Sequence, residues 1–175
     1  DDNVFRQTTA RLPWLLIGML GGIGNSMILG NFDTTFAAHP EMALYIPLIG
    51  GTGGNVGTQS SALVVQGLAN SSLNAENTFK QVLKESVVAL INATIISMLV
   101  YIYNFIRFGA SATVSYSVSI SLFAVVMFAS IFGTLVPMTL EKLKIDPAIA
   151  TGPFISITND IIGMLMYMGI TVLLA

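Results

Sequence analysis

Asp160 is the charged residue around which the chemistry of this chain can be built. It is the only charge among the 29 residues from Pro147 to Ala175. An apolar run of this length can cross a bilayer core of about 30 Å. At about 1.5 Å per residue, Asp160 would lie roughly 20 Å into such a helix, near mid-depth. A carboxylate there is costly unless a cation, a proton or water compensates it, so the residue points to ion chemistry.

The residues around Asp160 could form a polar face on the same helix. Gly152 and Pro153 precede it, and a proline inside a helix leaves a carbonyl of the preceding turn without its donor. At helical spacing one face would carry Ser156, Asp160, Gly163 and Tyr167. A carboxylate, a hydroxyl and freed carbonyls would then line one side of the helix.

A second polar stretch, residues 50–61, reads Gly-Gly-Thr-Gly-Gly-Asn-Val-Gly-Thr-Gln-Ser-Ser and lies in an otherwise apolar run. Its glycines, at a spacing of four residues, are typical of close helix packing in membranes. Packing alone does not explain Asn55, Thr58 and Gln59 beside them. The alternative is a distorted helix, with Pro47 near its start, whose backbone lines a polar pathway; irregular backbone is tolerated only where it lines water or protein.

The composition places the chain in a membrane. It is 54% hydrophobic and 9% charged, whereas soluble domains have about 25% charged residues. There is no cysteine, which excludes a disulfide framework and a thiolate metal site. The net charge of −2 and the lack of a basic patch give no reason to expect nucleic acid. The chain begins without methionine or a cleavable signal pattern, so we expect a membrane domain of a longer protein.

The apolar runs predict an all-α integral membrane protein with five transmembrane helices in a single domain spanning residues 1–175. Period-two alternation, which membrane β-strands require, is absent from them. The predicted helices are approximately 12–31, 42–69, 79–106, 114–142 and 147–175.

The basic residues predict the orientation of the chain. Six of the seven fall on the N-terminal side of the predicted membrane: Arg6, Arg11, Lys80, Lys84, Lys142 and Lys144. Only Arg107 falls on the other side. The positive-inside rule then places the N-terminus in the cytoplasm and Ala175 outside.

An all-oxygen site with few charges selects a hard cation, which can be Mg²⁺, Ca²⁺ or Mn²⁺. One carboxylate per chain suits a site on a two-fold axis, where two copies of Asp160 face one ion. Asp146 has two interpretations. It precedes Pro147 as a helix N-cap would, or it attracts cations at the cytoplasmic mouth.

Three motifs together resemble the transmembrane domain of the MgtE magnesium channel family over essentially the whole chain. They are the glycine-rich stretch after Pro47, Asp146-Pro-Ala, and Thr-Asn-Asp160-Ile-Ile-Gly163. The resemblance implies a homodimer in the cell membrane, with a pore between two chains lined by the second and fifth helices. It implies that Asp160 binds a largely hydrated Mg²⁺. The other implied site residues are Gly51, Gly54, Asn55 and Ser156 around the pore and Asp146 at its entrance.

Family members usually carry cytosolic N and CBS domains that sense magnesium, and neither is present in these 175 residues. The chain also departs from the family pattern at two positions where asparagine is frequent. Thr58 keeps a shorter polar side chain, and Gly152 has none.

Four functions remain for comparison, and none of the favoured ones is an enzyme. The first is a channel for hydrated Mg²⁺, and the second is a carrier that exchanges protons or Na⁺ for the divalent ion. An intramembrane aspartyl protease needs two carboxylates that share a proton, and Asp146 is too near the membrane face to partner Asp160. A plain membrane anchor leaves both polar helices unexplained.

Overall fold

The computed structural model describes residues 3–174, and the prediction of an all-α protein is confirmed. The α-helices are α1 (Val4–Gly30), α2 (Asp33–Ala38), α3 (Ile46–Ala69), α4 (Thr78–Phe108), α5 (Thr113–Lys142) and α6 (Pro153–Leu174). Short 3-10 helices cover Pro40–Tyr45, Ala75–Asn77 and Pro147–Ala150. The predicted end of the last helix at Ala175 lies outside the described residues.

Two segments are more helical than the charge pattern predicts. α1 begins at Val4, well before the predicted start near residue 12, because Asn3 caps it: its Oδ1 accepts the backbone N–H of Arg6 at 2.8 Å. Pro13 lies inside this helix. The predicted loop after the first helix is instead α2 followed by the 3-10 helix Pro40–Tyr45.

Within residues 3–174, four helices are long and apolar enough to cross a membrane: α1, α4 with the turn before it, α5 and α6. α3 is not among them, although its 24 residues would reach about 36 Å. Its glycines and polar side chains lower its mean hydropathy. Five spans therefore stay a prediction, with α3 as the helix in question.

α5 is the central helix of the bundle, and α3, α4 and α6 pack around it. α3 also packs on α6, whereas α1 packs mainly on α6 and contains no buried residue. At one end of the bundle, a buried cluster joins the beginnings of α3 and α5 to the second half of α6, including Ile49, Val118 and Tyr167. Leu29 of α1 and Phe108 of α4 pack on the same cluster. The five long helices therefore alternate in direction.

The glycine-rich helix approaches its neighbours at backbone distance. A methyl group added at Gly133 of α5 would lie 2.7 Å from the carbonyl oxygen of Gly57 in α3. A methyl group at Gly53 would lie 2.8 Å from Cγ1 of Val125. These positions require glycine because the space of a Cβ is already filled, so the packing interpretation of the stretch holds for this side of α3.

α3 itself is a regular α-helix through residues 50–61, so the predicted distortion of this helix is wrong. Pro47 lies in its first turn, where a missing N–H breaks no hydrogen bond. The break lies instead before α6. There Gly152 has a positive φ of 88°, and it separates the 3-10 helix Pro147–Ala150 from α6. The last helix was predicted to be weakened at Gly152 and Pro153; it begins there.

Gly133→Ala is expected to destabilise the bundle by about 1–3 kcal/mol, because a methyl group would collide with backbone rather than with a side chain that can move. The measurement is thermal unfolding in detergent. Gly169→Ala is the matched control, since no atom lies within 4 Å of its added methyl group, and it is expected to leave the midpoint unchanged or higher. Equal midpoints for the two variants would contradict the close approach.

Candidate metal-ion site

Asp160 is the eighth residue of α6, about 10 Å from its first residue, because the helix begins at Pro153 and not at Pro147. It therefore lies about a third of the way along α6, and the predicted position at the middle of the last helix is corrected. Its side chain is half-buried. It forms no hydrogen bond or ion pair with any residue in the range 3–174.

The neighbour of the Asp160 carboxylate across the helix interface is the glycine-rich helix. A methyl group at Gly50 of α3 would lie 3.5 Å from Oδ1 of Asp160 and 3.8 Å from Cε of Met164. Because Gly50 has no side chain, the carboxylate lies against a bare helix surface. The sequence separated these two polar stretches by about a hundred residues, and the fold brings them together.

The three pore residues predicted on α3 lie on the side of the helix turned away from the bundle. Gly51 and Asn55 are exposed and Gly54 is half-buried. A methyl group at Gly51 or Gly54 would meet no atom within 4 Å. Gln59 continues this exposed side one turn further. α3 therefore has one face packed through its glycines and one polar face that no described residue covers.

The predicted polar face of α6 divides into two parts. Ser156 and Asp160 are half-buried, one turn apart. Gly163 and Tyr167 are buried in the core, and the Tyr167 hydroxyl donates to the carbonyl oxygen of Met42 at 2.9 Å. Only Ser156 is thus left beside Asp160 as a candidate oxygen donor from this face.

Asp146 lies apart from Asp160, before the break at Gly152. It is exposed, and its Oδ1 accepts the backbone N–H of Ala148 at 3.0 Å. The N-cap interpretation therefore holds, although the helix that it caps is the 3-10 helix Pro147–Ala150. Its other carboxylate oxygen makes no hydrogen bond within residues 3–174, so a cap role leaves a charged oxygen available at this end of the bundle.

Thr58, one of the two positions at which the chain departs from the expected family pattern, turns its hydroxyl onto its own helix. Its Oγ1 donates to the carbonyl oxygen of Gly54 at 2.9 Å. The hydroxyl is thus partly occupied, and Thr58 offers less to an ion than an asparagine amide would.

Sequence reasoning missed Asn159, whose side chain is 1% exposed. Its amide packs directly on Gly57, and neither its Oδ1 nor its Nδ2 has a hydrogen-bond partner. The signal was available: an asparagine beside an aspartate in an apolar helix is a second polar group that must be compensated.

A link between α3 and α4 was also missed. The hydroxyl of Ser60 donates to Oε1 of Glu85 at 2.9 Å, and both side chains are shielded from solvent at least in part. No role was assigned to Glu85 from the sequence. Its position next to an apolar run was the sequence signal for a partner inside the bundle.

Within residues 3–174, no group of three or more His, Cys, Asp or Glu side chains could hold a metal ion. One chain thus brings a lone carboxylate, a hydroxyl and bare backbone to the interface of α3 and α6. Such a set can attract a hydrated cation but cannot replace its water shell, which for Mg²⁺ is held tightly.

The sequence of this chain is similar to those of known membrane transporters. The family model described as MgtE, divalent cation transporter, matches residues 46–170, which include both polar helices. The chain belongs to the MgtE family of divalent cation transporters.

Three curated members of the family match the chain along most of its length. The magnesium transporter MgtE of Bacillus subtilis is 33% identical over 170 residues, which is 97% of this chain and 38% of that protein. MgtE of Thermus thermophilus is 33% identical over 165 residues, covering 94% and 36%. MgtE of Enterococcus faecalis is 28% identical over 170 residues, covering 97% and 37%. The chain thus spans just over a third of the length of the MgtE proteins that it matches.

Replacing Asn159 by leucine, which has a similar shape, is expected to change the free energy of unfolding by less than about 1 kcal/mol. The reason is that no hydrogen bond of the amide is lost. The measurement is the thermal midpoint in detergent.

Asn104→Leu provides the contrast, since Asn104 is equally buried but its Oδ1 accepts the hydroxyl of Tyr45. That change should cost about 1–3 kcal/mol because the buried Tyr45 hydroxyl would be left unpaired. A larger loss for Asn159→Leu than for Asn104→Leu would mean that the Asn159 amide has a partner in the membrane.

Proposed function

We propose that this chain is the membrane domain of a homodimeric Mg²⁺ channel, with Asp160 as its cation site. The observation that supports this most is the position of the Asp160 carboxylate: it has no partner among the described residues and lies 3.5 Å from the Cβ position of Gly50. Membership of a divalent cation transporter family supports a positively charged partner. The ion of the curated relatives, by their names, is magnesium.

The second chain is inferred from the uncovered polar face of α3. Gly51, Asn55 and Gln59 recur at helical spacing on its exposed side. A polar face at membrane depth is stable only against protein or water, since lipid offers no hydrogen bonds. If α3 crosses the membrane, a second copy of the chain facing it across a water-filled pore satisfies this requirement and brings a second Asp160 to the axis.

The alternating directions of the five long helices support five crossings, including α3. The orientation follows from the ends of these helices. Six of the seven basic residues lie at the end of the bundle where α1, α4 and α6 begin, and Arg107 lies at the other. With basic residues facing the cytoplasm of a cell membrane, the N-terminus is cytoplasmic and the C-terminus lies outside.

The ion passes as a largely hydrated Mg²⁺ in this proposal. Two Asp160 carboxylates supply charge, while Ser156, Gly51, Gly54 and Asn55 supply oxygens for the water shell. Asp146 lies at the cytoplasmic mouth. Its carboxylate oxygen that makes no capping hydrogen bond raises the local cation concentration. Mn²⁺ and Ca²⁺ use the same ligand types, and their exclusion depends on the width of the pore between the two chains.

A carrier driven by protons or Na⁺ is the second candidate. The break at Gly152, which separates Asp146 from the helix of Asp160, favours it, since interrupted helices at ion sites are frequent in secondary transporters. It also requires Asp160 to release the divalent ion on binding the driving ion.

Asp160→Asn is expected to weaken Mg²⁺ binding in the pore without preventing assembly. A divalent ion about 5 Å from a carboxylate in water gains roughly 1.5 kcal/mol, so losing two carboxylates should reduce Mg²⁺ uptake into liposomes at least tenfold. Asp160→Ala should abolish uptake. Glu141→Gln, which removes an exposed carboxylate at the end of α5, is the control and should transport normally. Undiminished uptake by Asp160→Ala would contradict the proposed site.

Flux into liposomes with and without an imposed pH or Na⁺ gradient distinguishes the two mechanisms. A channel carries Mg²⁺ down its own electrochemical gradient, so we expect the same initial rate in all three conditions and a current that reverses where the Mg²⁺ gradient dictates. A rate that depends on the pH or Na⁺ gradient would instead establish the carrier.

A further inference from the structure

We propose that the cavity at the beginning of α4 binds an anionic phospholipid from the surrounding bilayer. The cavity has a volume of about 530 Å³ and lies between the turn after α3, the first turns of α4 and one side of α5. This volume is in the range of small-molecule sites, about 300–1,000 Å³. The transport pathway proposed above uses none of its residues.

One side of the cavity is cationic. Lys80 and Lys84 line it one turn apart on α4, together with the amide side chain of Asn77. Neither lysine forms an ion pair or a hydrogen bond within residues 3–174. Two ammonium groups that line one cavity, and that have no ion-pair partner among the described residues, attract a group with one or more negative charges.

The beginning of α4 adds to this positive potential. Asn77 is the N-cap residue of the helix, and its side chain makes no capping hydrogen bond. The positive end of the dipole of this 31-residue helix therefore lies beside the cavity without a side-chain cap. A phosphate group is attracted both by such a helix end and by lysine.

The other side of the cavity is apolar and continues into the membrane-facing surface. Leu83, Val87 and Met138 line it, and the first two are 57% and 55% exposed. Leu83 lies between the two lysines along α4, and Val87 follows them toward the interior of the predicted span. A ligand that fits carries a negative headgroup at one end and hydrocarbon at the other, which is the chemistry of an anionic phospholipid and not of a free phosphate or a nucleotide.

The position of the cavity in the fold makes it accessible to such a lipid. The cavity lies at the end of the bundle that carries most of the basic residues, where α4 would meet one of the two membrane surfaces. Under the positive-inside rule this is the cytoplasmic leaflet, where anionic lipids are concentrated.

The test is native mass spectrometry of the detergent-solubilised chain with phosphatidylglycerol or phosphatidylcholine of identical acyl chains. We expect the first phosphatidylglycerol to bind at least tenfold more tightly than phosphatidylcholine. At about 1 kcal/mol per lysine, Lys80→Gln/Lys84→Gln should raise its dissociation constant about 30-fold. Arg11→Gln/Lys144→Gln removes the same charge from the same end of the bundle without touching the cavity, and should change the constant less than threefold.

Two further arms separate the cavity from general attraction. Val87→Trp keeps both lysines but fills the apolar side, and it should weaken phosphatidylglycerol as much as the double lysine variant does. Inorganic phosphate at about 10 mM, a concentration at which salt still screens charges only weakly over the width of the cavity, should not displace the lipid. Equal losses in the two double variants, retained affinity in Val87→Trp, or displacement by phosphate would each overturn the proposal. Gel filtration of each variant shows that the comparison is made on folded protein.

Discussion

The constraint on which this bundle depends is the space that a side chain would need between α3 and α5. A Cβ added at Gly133 would lie 2.7 Å from the carbonyl oxygen of Gly57, and one added at Gly53 would lie 2.8 Å from the Val125 side chain. Neither position has room for a methyl group. α3 is therefore held by backbone contact along one side, which fixes its rotation about its own axis. With that rotation fixed, its polar residues can lie only on the opposite side, where Gly51 and Asn55 are exposed. The same contacts that hold the helix thus decide which of its groups are exposed.

The surroundings of the Asp160 carboxylate depend on this arrangement of α3. A carboxylate on α6 alone would be an isolated charge in an apolar helix, and α3 alone would be a poorly hydrophobic helix. When α3 and α6 pack together, Gly50 has no side chain that could obstruct the Asp160 carboxylate. The exposed side of α3 adds further polar groups. Glu85 of α4 is connected to the packed side of α3 through the hydrogen bond that it accepts from Ser60. A displacement of α4 at this level would therefore be felt by α3, and through it by the surface next to Asp160.

Much of this could be predicted from the sequence because composition and charge act along the chain. The all-α class, the apolar helices, the cap at Asp146 and the family follow from local patterns that the fold does not override. The errors concern places where a residue has two uses. Glycines that permit distortion also permit close packing, and in α3 packing prevails, so the helix stays regular. Gly152 and Pro153 weaken a helix or begin one, and here they begin α6, which moves Asp160 nearer to the helix start. Asn159 and Glu85 went unnoticed because their surroundings come from other helices, and spacing along one helix does not reveal them.

The attachment of α1 has a consequence for biogenesis. Its neighbour is α6, the final helix described, and none of its own residues is buried. During synthesis α1 therefore enters the membrane long before its neighbour exists, while α3, α4 and α5 can already pack on one another. α6, which is synthesised after the other described helices, then packs on α1 and also brings Asp160 to α3. Until α6 packs, Asp160 is absent from the Gly50 side of α3, so the candidate ion site and the packing of α1 on the bundle form in the same step.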